Sequence, residues 1–145
     1  NQNERHLSRR NTQNTRSSVS LPTLLIIGLG GFIGAVARAF SVHTINTYFH
    51  YHFAIGTIAV NIIGSLILGC LVAYFAHTQE SVLMKSFLTT GILGAFTTFS
   101  TFAVEAIFLL HNMRYFLAYT LTTMLGSLLM ALLGYKLLSH FLQAS

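Results

Sequence analysis

The chain has 145 residues, of which 53% are hydrophobic and 8% are charged, whereas a soluble domain carries roughly 25% charged residues. This composition indicates a membrane protein and argues against an ordinary soluble domain. The net charge is +5. With no Asp and only three Glu, the chain is poorly suited to carboxylate-based hydrolysis and to hard-metal sites, and a single Cys cannot form an internal disulfide.

The segment Asn1–Ser20 is a polar, basic tail rich in Asn, Gln, Arg, Ser and Thr. Because this composition cannot bury an apolar core, we expect the tail to be disordered. Most of the net charge comes from its arginines, which are Arg5, Arg9, Arg10 and Arg16. The tail lacks aromatic residues and leads directly into an apolar segment, so cytoplasmic retention by the positive-inside rule is a simpler explanation than nucleic-acid binding. A mitochondrial-type presequence is the alternative, although the tail has no apolar face.

Four apolar segments follow, and each is long enough to cross a bilayer as an α-helix. They cover residues 21–40, 53–76, 87–110 and 115–138. About 20 helical residues at roughly 1.5 Å each span the roughly 30 Å hydrocarbon layer. The first segment is too long for a signal peptide, and three more follow it. We therefore predict an all-α membrane domain over residues 21–140, with four transmembrane helices and both termini on one side.

The first span contains a glycine pair and ends on a cation. Gly30 and Gly34 form a GxxxG motif, which lets another helix approach closely. A packing face explains this motif at least as well as a direct role in a pore. Arg38 ends the predicted helix, at a position from which a long side chain can extend to the lipid headgroups.

The connector Ser41–His52 is polar and aromatic and contains His43, His50 and His52. A His-x-His pair can bind a metal ion, but one pair on a short loop is a weak signal. We therefore interpret these side chains as interfacial histidines. Two shorter connectors are predicted at residues 77–86 and 111–114.

The second and fourth spans each carry a stripe of polar side chains four residues apart. The stripes are Thr57, Asn61 and Ser65 in the second span, and Tyr119, Thr123 and Ser127 in the fourth. Residues four apart share a helix face, so both stripes are expected to point into the bundle or toward water. An amide within the membrane is costly unless it is hydrogen-bonded. The Asn61 side chain therefore either bonds another helix or donates to an anion, and the spacing does not separate these two roles.

The third span contains a near-continuous run of hydroxyl residues that a helix buried in lipid does not need. The run comprises Thr97, Thr98, Ser100 and Thr101, with Phe99 and Phe102 between and after them. Gly91 and Gly94 precede it; glycine permits non-helical backbone, and Ser and Thr can satisfy the backbone groups that a broken helix leaves open. Irregular backbone at membrane depth is tolerated only where it is buried in protein or lines a wet cavity. We therefore predict that the third helix is broken near its middle and that the break serves the passage of a small anion.

An anion in a membrane pore needs hydrogen-bond donors and positive potential where water is removed. No Lys or Arg lies in the middle of any span, so the donors have to be hydroxyl and amide groups. The ring edges of Phe99 and Phe102 carry partial positive charge and could hold a small, strongly hydrated anion. Plain packing is the alternative explanation for these two rings. The carbonyl groups that a helix break leaves free can in turn bind a cation.

The sequence resembles the fluoride channel family known as Fluc or CrcB over residues 21–138. Three motifs in order carry the resemblance: Gly30-Gly31-x-x-Gly34-Ala35-x-x-Arg38, then Gly56-Thr57-x-x-Val60-Asn61-x-x-Gly64-Ser65, then Gly91-x-x-Gly94-Ala95-Phe96-Thr97-Thr98-Phe99-Ser100-Thr101-Phe102. The resemblance implies an antiparallel, dual-topology homodimer in the plasma (inner) membrane, with two fluoride pores at the dimer interface. Fluoride would leave the cytoplasm passively through these pores, which reduces its toxicity. The lipid bilayer, fluoride and a second copy of the chain are then the expected partners, and nucleic acid is not.

The resemblance also assigns roles to residues by position. It implies that Asn61, Phe99 and Phe102 contact fluoride. It also implies pore positions at Ser100, Thr101, Tyr119, Thr123 and Ser127. Glu105 matches a glutamate of the family whose role is less settled. Thr57, which shares the helix face of Asn61, is added as a hydroxyl donor. A structural Na⁺ is implied at the dimer centre, held by backbone carbonyls at the positions of Gly94 and Thr97.

The charges at the helix ends bear on how the chain inserts. Outside the tail, Lys85 and Lys136 lie on one predicted side of the membrane and Arg38 and Arg114 on the other. This balance of two against two agrees with insertion in both orientations, since the excess of Lys and Arg sets orientation. The basic tail departs from that pattern and is expected to favour one orientation.

Three other functions are compatible with four spans. A proton-coupled small-molecule exporter needs a membrane carboxylate, and Glu105 is the candidate. In a non-transporting assembly subunit, Phe99 and Phe102 would serve packing alone. An intramembrane enzyme is the weakest alternative, because one Cys, no Asp and loop histidines do not assemble a nucleophile, a base and an orienting acid.

Overall fold

The computed structural model describes residues 19–49 and 55–144, which form helices joined by short connections. Helix α1 is Leu21–Tyr48 and α2 is Ile55–His77. Helix α3 covers residues 82–96, in which Val82–Lys85 and Gly94–Phe96 are α-helical and Ser86–Leu93 is π-helical; α4 is Phe99–Phe108 and α5 is Met113–Ala144. Within this described part, four segments are long and apolar enough to cross a membrane, namely α1, α2, Val82–Phe108 and α5. The all-helical class and the four spans predicted from the sequence are confirmed.

The backbone leaves the helical conformation between α3 and α4. Thr97 has φ −80° and ψ 153°, and Thr98 has φ −147° and ψ 121°, so both residues are extended. The hydroxyl of Thr98 accepts a hydrogen bond from the Thr101 N–H at 3.2 Å and so caps α4. Threonine suits this position because its oxygen satisfies one of the N–H groups that a helix start leaves open. Two extended residues therefore separate the helical halves of the third span.

Helix α1 is longer than the sequence predicted, because Ser41–Tyr48 continues the helix instead of forming a connector. This part contains no Gly or Pro that would stop a helix. The Thr47 hydroxyl donates to the His43 carbonyl at 2.8 Å. The Asn46 amide oxygen accepts from the Gly56 N–H at 2.8 Å and ties the end of α1 to the start of α2. The prediction that His43 lies on a connector was therefore wrong.

Two other predicted boundaries also differ from the structure. Helix α3 begins at Val82, inside the connector predicted at residues 77–86, because the Ser81 hydroxyl accepts from the Met84 N–H at 3.2 Å and caps the helix. Helix α5 continues to Ala144, since no Gly or Pro follows Gly134 to stop it. The third and fourth spans are thus longer than predicted, at the start of α3 because of the cap and at the end of α5 because of local helix propensity.

Little of the predicted tail lies within the described residues. Ser20, its last residue, caps α1 by accepting from the Thr23 N–H at 3.4 Å. Residues 1–18 and the histidine pair at residues 50 and 52 lie outside the described part of the chain. Pro22 occupies the first turn of α1, where its missing N–H costs nothing.

Glycines let the helices cross at close range. A Cβ atom added at Gly30 would lie 2.7 Å from the Phe87 carbonyl oxygen, and one added at Gly34 would overlap the Ile92 carbonyl oxygen. Gly69 of α2 is packed as tightly against the backbone of α5. Small residues permit such contact between helix backbones in membranes. The GxxxG pair is therefore a packing face between α1 and α3, which is the first of the two roles considered for it.

Replacing Gly34 by Ala is expected to lower the free energy of unfolding by about 2–3 kcal/mol, because the new methyl group has to displace backbone atoms of α3. Gly28→Ala is the matched control on the same helix, since a Cβ at Gly28 meets nothing within 4 Å. The measurement is thermal unfolding of the purified variants in detergent. Equal melting temperatures for the two variants would contradict the close packing of α1 on α3.

Candidate functional site

The side chain of Asn61 holds the extended backbone between α3 and α4. Its amide oxygen accepts from the Thr98 N–H at 2.7 Å, and its Nδ2 donates to the Thr98 carbonyl at 3.0 Å. Asn61 is 7% exposed, so both bonds form in the interior. The interhelical role, one of the two predicted for this amide, is present in the structure. The second N–H of Nδ2 is not used by either bond and is free to donate elsewhere.

This arrangement leaves two carbonyl groups at the end of α3 without their usual helical N–H partners. In a continuous helix the Thr98 N–H would bond to the Gly94 carbonyl, and the Thr101 N–H would bond to the Thr97 carbonyl. Instead, Thr98 donates to Asn61 and Thr101 donates to the Thr98 hydroxyl. The carbonyls of Gly94 and Thr97 therefore lack these helical partners.

Three aromatic rings form a row beside the extended residues. The ring centroids of Phe99 and Phe102 are 5.5 Å apart at an interplanar angle of 50°, and those of Phe102 and Tyr119 are 5.5 Å apart at 24°. Phe102 is 5% exposed and Tyr119 is fully buried, and both belong to the apolar core. Phe99 is 72% exposed. Packing within the chain accounts for Phe102 but not for Phe99.

The half-buried carboxylate of Glu105 adjoins the aromatic row. The Thr57 hydroxyl donates to Oε1 of Glu105 at 3.0 Å, and the Tyr119 hydroxyl donates to Oε2 of the same carboxylate. Thr57 and Tyr119 are both fully buried and Glu105 is half-buried. Each carboxylate oxygen thus accepts one hydroxyl. Because Tyr119 also stacks on Phe102, the carboxylate and the rings form one connected unit.

The rings border a groove of about 510 Å³ beside α5, which we name the α5 groove. Its polar lining comes from Asn61, Ser65, Thr97, Thr98, Thr123 and Ser127. Its apolar walls are Phe99, Phe102, Met124, Leu125 and Leu128. The Ser127 hydroxyl is buried and has no hydrogen-bond partner among the described residues. Leaving such a group unpaired costs about 1–3 kcal/mol.

A second cavity of about 540 Å³, which we name the Arg38 pocket, lies on the other side of the extended residues. Helix α1 supplies Arg38, Ala39, Val42, His43, Asn46 and Thr47, and the opposite wall consists of Thr57, Thr98 and Thr101. Thr98 lines both cavities. The α5 groove and the Arg38 pocket therefore adjoin at Thr98, the residue to which Asn61 is hydrogen-bonded.

The structure brings most of the predicted site residues together. Asn61, Phe99, Phe102, Thr123 and Ser127 line the α5 groove; Thr57 and Thr101 line the Arg38 pocket; Glu105 and Tyr119 connect the two groups. Ser100 is exposed and lines neither cavity. Gly94 is exposed at the end of α3, and the Thr97 hydroxyl donates back to the Leu93 carbonyl at 2.9 Å.

Sequence reasoning missed two features of this region. Arg38 and His43 were interpreted as interfacial residues, whereas both line a cavity next to Thr98. The predicted connector Ser41–His52 concealed the continuation of α1 that brings His43 to the cavity wall. The π-helical segment Ser86–Leu93 had no signal of its own beyond Gly91, where a Cβ would lie 3.0 Å from Gly30 Cα.

These features define a class: a small, multi-pass helical membrane protein with polar cavities meeting at an interruption of its third span. A family model described as "CrcB-like protein, Camphor Resistance (CrcB)" matches residues 25–135. The chain belongs to the CrcB family, which confirms the resemblance carried by the three motifs.

Relatives in this family share much of the sequence. A protein of Campylobacter jejuni named fluoride-specific ion channel FluC is 50% identical over 95 residues, covering 66% of this chain and 78% of the relative. Proteins of the same name from Nautilia profundicola and Sulfurimonas denitrificans are each 44% identical, over 117 and 129 residues. These two alignments cover 79% and 87% of this chain, and 91% and 100% of the relatives.

Proposed function

We propose that this protein is a passive, fluoride-selective channel. The observation that carries the proposal is a chain of contacts beside the α5 groove. The Tyr119 hydroxyl donates to Glu105, the Tyr119 ring stacks on Phe102, and Phe102 lines the groove. In this proposal a small anion entering the groove meets the remaining N–H of Asn61 and the exposed Phe99 ring. Hydroxyl, amide and ring-edge contacts replace water around a compact anion without a fixed positive charge that would hold it too tightly. The names of the relatives supply fluoride as the ion.

The working form in this proposal is an antiparallel homodimer with two pores. The α5 groove combines polar groups with exposed apolar side chains, including Phe99 at 72% and Leu128 at 67%. A polar groove facing hydrocarbon is unfavourable, so a second copy that covers it is favoured over lipid. Covering the groove also encloses the space next to Phe99 and turns it into a pore wall. The balanced charges at the helix ends support opposite orientations of the two copies.

A structural Na⁺ at the dimer centre fits the carbonyl groups of Gly94 and Thr97. Both carbonyls lack their helical N–H partners, and uncharged oxygens are suitable ligands for a hard monovalent cation. When bound, the ion would neutralise carbonyl dipoles brought together from two copies. In this role the carbonyls of Gly94 and Thr97 hold the two halves of the third span at the interface.

The cellular role follows from acid–base chemistry. Hydrogen fluoride crosses membranes as a neutral acid and ionises at neutral pH, so fluoride accumulates inside the cell. A negative interior drives an anion outward, and each elementary charge gains about 2.3 kcal/mol per 100 mV. A passive pore in the plasma membrane is therefore sufficient to export fluoride and to relieve its toxicity. No catalytic step is required.

The competing proposal, a proton-coupled exporter, requires Glu105 to take up and release a proton. Glu105→Gln is expected to leave a measurable passive fluoride flux, lowered by about tenfold or less, because the Gln oxygen can still accept from Thr57 or Tyr119. The measurement is potential-driven fluoride release from proteoliposomes. Glu80→Gln is the matched control, since Glu80 bonds Tyr74 at the end of α2, away from both cavities. Complete loss of flux in Glu105→Gln alone would favour the exporter.

A further inference from the structure

Helix α5 is longer than the hydrocarbon layer that it crosses. It has 32 residues. At roughly 1.5 Å per residue it is about 48 Å long, against roughly 30 Å for the layer. Part of this helix therefore lies at the level of the lipid headgroups.

The packing of α5 on α2 shows that its last turns lie at this level. A Cβ atom added at Gly126 of α5 would lie 2.8 Å from Ile62 Cδ1 of α2, and one added at Gly69 of α2 would lie 3.0 Å from the Tyr135 nitrogen of α5. The two helices therefore run parallel. Continued along both helices, this register places His77, the end of α2, level with the last turns of α5. The loop that follows α2 is polar at residues 78–80, as expected at a membrane surface.

One face of α5 changes from apolar to cationic toward this surface. Leu129 and Leu133 are exposed, and Lys136 and His140 are exposed further along the helix. Spacings of three and four residues place all four side chains on the same side of the helix. None of them lines the α5 groove or the Arg38 pocket. The apolar part of this face thus lies at hydrocarbon depth, and the cationic part lies at the headgroups.

The two polar side chains of this face are available as hydrogen-bond donors. Lys136 offers three N–H groups, and His140 offers at least one in either tautomer. Neither has a hydrogen-bond or ion-pair partner within residues 19–49 and 55–144. The carboxylates in this part of the chain have hydroxyl partners, since Glu80 accepts from Tyr74 and Glu105 accepts two hydroxyls. Donors one helical turn apart suit the oxygens of one phosphate group.

The sequence makes this end of the molecule basic as a whole. The tail that precedes α1 carries four arginines and one glutamate, and Lys85 and Lys136 face Glu80 at the same end. Only Arg38 and Arg114 belong to the opposite side. Each Lys or Arg close to an anionic bilayer surface strengthens binding about fivefold, and salt weakens the effect. The charge at this end is therefore complementary to anionic lipid.

We propose that Lys136 and His140 bind the phosphate of an anionic phospholipid, whose acyl chains lie along Leu129 and Leu133. The apolar row leading away from the two donors favours a lipid over a free phosphate ion. A zwitterionic lipid is bound more weakly, because its own cation offsets the charge of its phosphate. The site is separate from the two cavities and does not depend on the proposed channel function.

The test is native mass spectrometry of the full chain in detergent, titrated with phosphatidylglycerol or with phosphatidylcholine of the same acyl chains. We expect phosphatidylglycerol to bind at least fivefold more tightly. Lys136→Gln should weaken phosphatidylglycerol binding about fivefold, the further change His140→Gln should remove the remaining preference, and Lys136→Arg should retain it. Phosphatidylcholine binding and the melting temperature should not change, because both side chains are exposed.

The matched control is Arg114→Gln. Arg114 is an exposed cation at the other end of α5, and the residue four positions further along is Ala118, which offers no second donor. This variant should keep the preference for phosphatidylglycerol. An equal loss in Arg114→Gln and Lys136→Gln, or no preference in the unmodified protein, overturns the inference. Displacement of the lipid by a tenfold excess of glycerol phosphate, which lacks acyl chains, also overturns it. Fluoride release is not a readout, so these outcomes are independent of the proposed function.

Discussion

Replacing Phe99 by Ile is expected to lower fluoride flux at least tenfold while the protein keeps its fold and its oligomeric state. The ring is 72% exposed in the single chain, so its loss removes little packing. Ile fills similar space but lacks the positive ring edge that, in the proposed pore, replaces water around the anion. A tenfold drop in rate corresponds to about 1.4 kcal/mol, which is within the range of a single aromatic contact. Flux is measured with a fluoride electrode on proteoliposomes, and the oligomeric state by size-exclusion chromatography.

Phe108→Ile is the matched control for this experiment. Phe108 lies on the same helix, α4, and is also 72% exposed, but it lines neither cavity. Its replacement should leave flux unchanged. Phe102→Ile tests the ring edge less selectively, because Phe102 is 5% exposed and stacks on Tyr119. This variant is therefore also expected to lose about 1 kcal/mol of folding stability through altered packing. Normal flux in both Phe99→Ile and Phe102→Ile would reject the ring-edge mechanism.

Asn61→Ala is expected to abolish fluoride flux and to lower the free energy of unfolding by about 1–4 kcal/mol. The substitution removes both hydrogen bonds to Thr98 and leaves a buried N–H and a buried carbonyl without their partner. The lower end of the range reflects the modest value of interhelical hydrogen bonds in membranes, about 0.6 kcal/mol on average. Thermal unfolding in detergent and fluoride release are measured on the same preparation.

The control for Asn61 is Asn112→Ala. Asn112 accepts a single bond from the Arg114 N–H at 3.2 Å in the turn before α5, so its replacement should affect neither quantity by much. If Asn61→Ala melts like the unmodified protein, the pair of bonds to Thr98 does not hold the extended backbone. If it conducts normally, the amide is not part of the permeation path.

The polar stripes were predictable because helical periodicity places residues four apart on one face. Thr57 and Asn61 both hydrogen-bond to the second half of the third span, and Tyr119 and Thr123 are buried. Their individual partners were not predictable. The Asn61 to Thr98 and Thr57 to Glu105 bonds join residues 37 and 48 positions apart, and only the packing of the helices determines such pairs.

The end of α1 shows where local sequence is a poor guide. Ser41–Tyr48 has the polar and aromatic composition of a connector, yet its side chains satisfy backbone groups within the helix and at the start of α2. Polar composition at a membrane boundary indicates contact with water, and a helix can provide that contact as well as a loop can. The Arg38 pocket depends on this continuation, so it could not be inferred before the helix boundary was known.

Release of fluoride and chloride from liposomes that contain the purified protein is the most direct test of the channel. A potassium gradient with valinomycin sets the membrane potential, and ion-selective electrodes follow both anions. We expect rapid fluoride release that increases with the potential, together with chloride release no faster than from protein-free liposomes. Equal release of both anions, or no fluoride release from a well-folded preparation, would contradict a fluoride-selective channel.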